Sequence, residues 1–273
     1  MVTSQETLDA LRECPRYGLD ELVQIVQVLR SENGCPWDKE QTHKSIRQDL
    51  LEECYEAVEA IDMDSVPMLR EELGDVLLQV VFHCQIEREQ AHFTFDDICD
   101  EVCRKLVVRH PHVFGSVQVK NSEEVLKNWD AIKQETKQQT TAAETLESVC
   151  KALPALMYAQ KLGKRAGRAG MDWSSAEDAF QYIRLETDEL EAAMASGDEE
   201  AISEEMGDLL FSCVNTARHL HLDAETALRA SADKFLRRFA ETERLVKADC
   251  KEMSELPLSV LDEYWAKAKE KLS

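Results

Sequence analysis

Eight carboxylates, arranged as two sets of four, dominate the chemistry this chain can offer. Glu53, Glu56, Glu72 and Asp75 form the first set, and Glu186, Glu189, Glu205 and Asp208 the second. Successive members are three, sixteen and three residues apart in both sets. The later pair of each lies in a repeated string, Glu-Glu-Leu-Gly-Asp-Val-Leu at 71–77 and Glu-Glu-Met-Gly-Asp-Leu-Leu at 204–210. An ungapped repeat of this kind reads as two copies of one structural unit. Four ionised carboxylates brought together repel, and each pair at about 5 Å and an effective dielectric near 20 costs about 3 kcal/mol. A divalent cation relieves that repulsion, and an all-oxygen ligand set suits Mg²⁺ or Mn²⁺ rather than zinc or copper. Magnesium held by few carboxylates keeps waters and accepts substrate phosphates, which calls for positive side chains nearby. Lys234 and Arg238 lie four residues apart after the second set, and Lys105 and Arg109 do the same after the first. Trp265 could stack on a base or serve as a core anchor.

The elements that must position these groups are helical. Only nine glycines and six prolines interrupt 273 residues, and alternating strand-like runs are scarce. Helices are expected at about 19–30, with Asp20 as a cap, and at 45–62, from 68, at 95–110 and at about 122–137. Cys35-Pro36-Trp37-Asp38 reads as a turn-prone loop, because proline excludes helix at the residue before it. Leu51, Cys54, Val58 and Ile61 make one apolar stripe, and Leu73, Val76, Leu77, Val80 and Cys84 make the next. Both are read as core faces flanked by the acidic pairs, each pair one helical turn apart. Two antiparallel helices joined by a short loop would then bring a quartet together. The plan repeats at about 155–169, 176–195, 199–220, 224–247 and 259–272, with Asp172-Trp173 echoing Trp37-Asp38. Residues 138–149 are polar and small and read as a linker. The expected organisation is an N-terminal helical unit over 1–137 and a C-terminal one over 150–273.

The bulk properties narrow the partners. A net charge of −22, from 54 acidic and 32 basic residues, disfavours a nucleic-acid polymer, whose phosphates need a basic surface. No run approaches the roughly 18 apolar residues of a membrane span. Met1 to Arg12 is polar, without the apolar core of a signal peptide. Nine cysteines occur with no Cys-x-x-Cys, so a reducing cytoplasm is expected. Cys99 and Cys103 read as small core residues, Gly163-Lys164-Arg165 as a basic helix face, and His110 and His112 as a loop corner.

Taken together, several motifs resemble the MazG family of nucleoside triphosphate pyrophosphohydrolases, within an all-α superfamily that includes dimeric dUTPases. They are Gly-Cys-Pro-Trp-Asp at 34–38, Leu-Leu-Glu-Glu-Cys-Tyr-Glu-Ala at 50–57 and Arg-Glu-Glu-Leu-Gly-Asp-Val-Leu at 70–77. Arg-His-Pro-His-Val-Phe-Gly at 109–115, Glu-Glu-Met-Gly-Asp-Leu-Leu-Phe at 204–211 and Lys-Phe-Leu-Arg-Arg-Phe at 234–239 continue the resemblance, which spans about residues 19–270. It implies Mg²⁺-dependent hydrolysis of nucleoside triphosphates to monophosphate and pyrophosphate by a homodimer of helical bundles, with the C-terminal unit as main catalyst. It also implies that Glu186, Glu189, Glu205 and Asp208 hold the metal, that Lys234 and Arg238 contact phosphates, and that Trp265 lies at the nucleotide. Two features depart from the family pattern. Leu185 stands where the first unit has Glu52, and Tyr182 and Ala201 stand where the family tends to carry lysine.

The proposed chemistry is water attack at the α–β linkage, with Glu189 or Glu186 orienting or deprotonating the water. Two other classes fit parts of the pattern. A di-iron bundle needs Glu-x-x-His on core helices, and Glu40/His43 and Glu89/His92 have that spacing. A non-catalytic helical repeat would use its acidic grooves for structure or a protein partner.

Overall fold

The computed structural model describes residues 3–122, 124, 125, 128, 129, 132 and 141–272. Among these residues the chain is helical and forms no strand. It divides into two compact units, Met1–Ile132 and Lys133–Ser273. The first contains α1 (Gln5–Arg12), α2 (Leu19–Leu29), α3 (Pro36–Glu40), α4 (Arg47–Asp62), α5 (Val66–Glu89), α6 (Phe95–Arg109) and α7 (Pro111–Phe114). The second contains α8 (Ala142–Glu147), α9 (Ala155–Arg168), α10 (Ala176–Ser196), α11 (Glu199–His219), α12 (Ala224–Ala248) and α13 (Leu258–Lys271).

Each unit is built on a helical hairpin, α4–α5 in the first and α10–α11 in the second, the most extensively packed pair in its unit. A left-handed residue turns each corner: Asp64 at φ 51° and Gly197 at φ 72°. Glycine adopts that region without a Cβ penalty and ends α10 as its C-cap, after which Asp198 accepts from the Glu200 and Ala201 amides to start α11. Small residues let the paired helices approach closely. Ala57 and Ala60 are buried on α4, and Ala179 and Ala193 on α10.

In unit 1, α2 packs along α5 around Val26, Ile46, Val81, Phe82 and Ile86. Arg30, whose side chain is 5% exposed, pairs with Glu89 of α5 and donates to the carbonyls of Asp38 and Gln41. One guanidinium therefore pins the segment around Trp37 to the bundle. That segment contains a single helical turn with Pro36 at its start, where a missing N–H costs nothing. In unit 2, α9 meets α11 at Gly163, and Gly167 faces Asp172 of the segment that follows α9. A Cβ at Gly163 would overlap the Asn215 amide oxygen, and one at Gly167 would overlap the Asp172 carboxylate. α12 pairs mainly with α13, burying Val246, Tyr264 and Ala268.

Several expectations need correcting. The apolar stripes are core faces only in part: Leu51, Cys54, Val58 and Ile61 of α4 and Leu73 and Leu77 of α5 are exposed, whereas Val76 and Val80 are half-buried and Cys84 is buried. The small residues face the partner helix, so the bulky ones point outward from the hairpin. Residues 142–147 of the expected linker form α8, begun by a reciprocal Thr141–Glu144 cap, and Val149 is buried. Arg165 of α9 donates to the Thr145 carbonyl and Ser148 hydroxyl at the end of α8, so the Gly-Lys-Arg stretch is not a solvated basic face. Asp20 does not cap α2; the Gly18 amide donates to Glu21 instead. The helix expected at about 122–137 and the start of the expected linker fall largely outside the described residues.

Gly163→Val should lower the stability of unit 2 by about 1–3 kcal/mol, because a side chain there must displace Asn215. Gly74→Ala, in α5 with open space around it, should instead stabilise by up to about 1 kcal/mol. Denaturant titration of the two variants checks the contrast; equal effects would contradict the packing described.

Candidate functional site

The hairpins bring the acidic sets together. In unit 1, Glu53 and Glu56 of α4 and Glu72 of α5 each place a carboxylate oxygen within 4.8 Å of the others. In unit 2 the trio is Glu186 of α10 with Glu205 and Asp208 of α11, so the two trios share two of their three repeat positions. Members three residues apart share a helix face, and the corner loops set the two helices in register. The fourth acids, Asp75 and Glu189, stand outside the trios but act on them electrostatically.

Burial and mutual repulsion leave their mark on the carboxyls. Partial burial, followed by the charges of Asp75, Glu56 and Glu72, pushes Glu53 above its ordinary value. Burial and then Glu56 do the same to Glu72. In unit 2, burial and then Glu189, Asp208 and Glu205 raise Glu186, while burial, Glu189 and Asp208 raise Glu205. The donor set fits a hard divalent cation. Each trio is all-oxygen, drawn from two helices and assembled against its own repulsion.

The basic residues occupy other helices. Lys234 and Arg238 lie on α12, and Trp265 on α13, where its ring meets Phe235 at 5.2 Å. These three are therefore close to one another on the α12–α13 pair, while the acids sit on α10–α11. In unit 1, Lys105 is exposed on α6, and the Arg109 guanidinium lies 5.1 Å from the Trp129 ring centre. Among the described residues no ion pair joins these four cations to either trio.

Sequence reading missed a polar network behind the second site. Asp172 accepts from Arg218 through both oxygens, and also from His219 and the Trp173 amide. The Arg218 contacts above all hold its carboxyl far below the usual range. Trp173 stands edge-on to Tyr182, with ring centres 5.3 Å apart. The Asp-Trp echo of unit 1 pointed to the place, but not to Arg218, 46 residues away.

The histidines do not assemble a di-iron centre. Glu89 is taken by Arg30, and His43 and His92 bond to Glu87 instead. His43 also bonds His83, which burial and the neighbouring His43 push below its ordinary value. Both nitrogens of His43 and both oxygens of Glu87 are engaged in this chain, so they do not converge on one point. His110 closes the end of α6 by bonding the Leu106 carbonyl, in keeping with a loop corner.

A family model described as the MazG nucleotide pyrophosphohydrolase domain matches residues 41–114 and again 174–241. The two matches contain the two carboxylate sets. A nucleoside triphosphate pyrophosphohydrolase of Escherichia coli is 46% identical over 254 residues, covering 92% of this chain and 97% of its own. Thermotoga maritima has a nucleoside triphosphate pyrophosphohydrolase/pyrophosphatase MazG that is 44% identical over 250 residues, 92% of this chain and 95% of its own. An uncharacterized protein, YabN, of Bacillus subtilis is 43% identical over 247 residues, 90% of this chain and 50% of its own.

The raised carboxyls set the sign of a pH effect. A glutamate whose folded value lies above its unfolded one opposes folding as it ionises, so metal-free protein loses this stability as pH rises from about 4.5. In chelator, Glu205→Gln should therefore melt above wild type at pH 7.5, with the difference shrinking toward pH 4.5. Thermal unfolding across that range checks it; a variant melting lower at pH 7.5 contradicts the repulsion.

Proposed function

The chain belongs to the MazG nucleotide pyrophosphohydrolase family, and from that premise we propose that it hydrolyses nucleoside triphosphates at the α–β linkage. The products are nucleoside monophosphate and pyrophosphate. The observation that carries this reading is the pair of carboxylate trios, each converging within 4.8 Å from two helices. Acids alone would repel a polyphosphate, so the site must work with a cation. Glu186, Glu205 and Asp208 would hold Mg²⁺, or Mn²⁺, in unit 2, and Glu53, Glu56 and Glu72 in unit 1, with Glu189 and Asp75 beside them. The bound cation would supply positive charge against the negative charge developing on the phosphates.

The remaining roles fall to the chain's own groups. A water attacks the α-phosphorus in line, the bond to the α–β bridging oxygen breaks, and that oxygen leaves on pyrophosphate. Glu189 is adjacent to Glu186 yet outside the trio, which suits it to orient the water and take its proton; Glu186 is the alternative. Lys234 and Arg238 would hold the leaving pyrophosphate, with Trp265 beside the nucleotide. Lys105 and Arg109 would serve unit 1 in the same way.

A homodimer would suit the exposed apolar faces. Phe180 and Leu185 of α10, Leu210 of α11, and Phe235, Leu236 and Phe239 of α12 lie open to solvent, as does the outward stripe of α4–α5. Exposed bulky apolar side chains grouped along helices suit an interface. A second copy over these faces would complete each hairpin as a four-helix arrangement and could carry its own Lys234 and Arg238 to the acids. Among the described residues no helix is long and apolar enough to cross a membrane. A cytoplasmic site of action, without a nucleic-acid partner, suits the net charge of −22.

Wild-type protein should release pyrophosphate from nucleoside triphosphates only with Mg²⁺ or Mn²⁺ present. The double variant Glu205→Ala/Asp208→Ala should lose about 100-fold or more of that rate. Unchanged release in the double variant would sink the assignment to unit 2, and loss in Glu53→Ala/Glu72→Ala would move it to unit 1.

A further inference from the structure

Four side chains of unit 1 stand apart from the acidic trio and form one hydrogen-bonded chain. His83 and Glu87 lie on α5, His92 in the turn that follows it, and His43 just before α4. His43 Nδ1 is 2.7 Å from His83 Nδ1, its Nε2 is 2.5 Å from one Glu87 oxygen, and His92 Nδ1 is 2.6 Å from the other. The chain bridges the open end of the α4–α5 hairpin, opposite the Asp64 corner. This tether matters because α4 begins after Ile46 without a side-chain cap, whereas α10 begins on the Ser175 hydroxyl. Among the described residues unit 2 has no equivalent. In the register that matches Glu72 to Glu205, Thr216 and Leu220 stand where unit 1 has His83 and Glu87. Thr216 donates within its own helix, to the Ser212 carbonyl. The chain is therefore no part of what the two repeats share.

The proton inventory of the chain limits it to two bonded states. A carboxylate only accepts, so His43 Nε2 and His92 Nδ1 both donate to Glu87. Neutral His43 then offers a lone pair at Nδ1, and His83 donates to it. A proton added to His43 reverses that bond, because His83 can change tautomer and accept. A second proton leaves two N–H groups facing each other across 2.7 Å, on rings whose centres are 5.0 Å apart. We propose that the chain is a clasp, which holds the start of α4 against α5 and lets go when both facing imidazoles are charged, so that acidification loosens unit 1 and not unit 2. Burial and then the charge of His43 push His83 below its ordinary value of 6.5. A base depressed in this way stabilises the fold at neutral pH, and that contribution is lost as pH falls through 6.5. Bonds from His92 and then His43 hold the Glu87 carboxyl down, so it stays ionised over that window. The other charges of the packed elements have their own commitments. Arg30 of α2 pairs with Glu89, Arg88 donates to Gln27, and Asp97 of α6 takes the Thr94 amide and hydroxyl. Lys44, Arg47 and Asp49 flank the start of α4, and none of them pairs with the chain among the described residues. Glu53 and Glu56 ride on α4 opposite Glu72, so release should weaken a cation held there; this coupling rests on the metal reading above, and the clasp itself does not.

Hydrogen exchange of the full-length, metal-free chain, read by mass spectrometry and corrected for the intrinsic rate at each pH, tests the clasp. The Ser45 and Ile46 amides, which donate to the Thr42 carbonyl, report on the clasped segment. Peptides over 42–50 should lose about tenfold in protection between pH 7.5 and 5.5, while those over 175–183 keep theirs. His83→Gln and His43→Gln, each uncharged throughout that range, should remove the loss. Unchanged protection in wild type overturns the clasp, as does an equal loss in both variants or over 175–183. Mn²⁺ titration reads the coupling to the acids. The dissociation constant of unit 1, measured in Glu205→Gln, should rise between pH 7.5 and 5.5 by about tenfold more than that of unit 2, measured in Glu72→Gln. Adding His83→Gln should erase the difference, and equal rises in the two units overturn the coupling. Absence of Mn²⁺ uptake by either unit defeats the metal reading alone, and the exchange result still decides the clasp.

Discussion

Repulsion between like charges is the constraint around which both units are arranged. Each hairpin holds three carboxylates within reach of a single point, and in unit 2 burial adds to their mutual cost. Helix packing bears this cost: Ala179 and Ala193 let α10 approach α11 closely, and Gly197 turns the corner without strain. Behind the acids, Arg218, His219 and Asp172 form a compensated network that fixes Trp173 beside the hairpin. Among the described residues no cation pairs with the acids of the trio, while Asp172 has three donors. That contrast separates a carboxylate compensated within the fold from carboxylates left to repel one another.

The bulky side chains of the hairpins tell a related story. An amphipathic helix normally turns its large apolar residues inward. Here α4 buries only alanines and α10 buries two alanines with Leu190, while both expose bulky residues such as Leu51, Val58, Ile61 and Phe180. The close helix approach that brings the acids together leaves little room for bulk between the helices, so much of it goes outside. Convergence of the acids and a surface that a second copy could cover are then two consequences of one packing choice. Such assembly would also account for the placement of Lys234 and Arg238 on a helix pair distinct from the one that carries the acids.

Much of the fold was legible in the sequence because its signals are local. The caps at Thr94, Ser175, Asp198 and Asp223, and the turns after Asp62 and Ser196, mark helix ends where periodicity and breakers place them. The acidic quartets were legible because a repeated spacing survives in the sequence, and helical geometry converts three-residue steps into shared faces. What was not legible depends on long-range partners. Nothing local in Leu51 or Val58 says whether a stripe faces its own hairpin or another surface. Asp172 meets Arg218 only after α9, α10 and α11 have packed, through the glycines at 163 and 167. Helix α8 escaped notice because a six-residue stretch with one bulky apolar side chain, Leu146, forms a helix only when capped by Thr141 and anchored by Arg165.

The central claim is that the repelling carboxylates are metal sites, one in each unit. Electron paramagnetic resonance of free Mn²⁺ during titration into the metal-free chain tests it most directly, since bound ion drops out of the free signal. The account predicts uptake by two classes of site, one of which disappears in Glu205→Gln while the other persists and is removed by Glu72→Gln. Equal Mn²⁺ uptake by wild type and the combined Glu72→Gln/Glu205→Gln variant would contradict it.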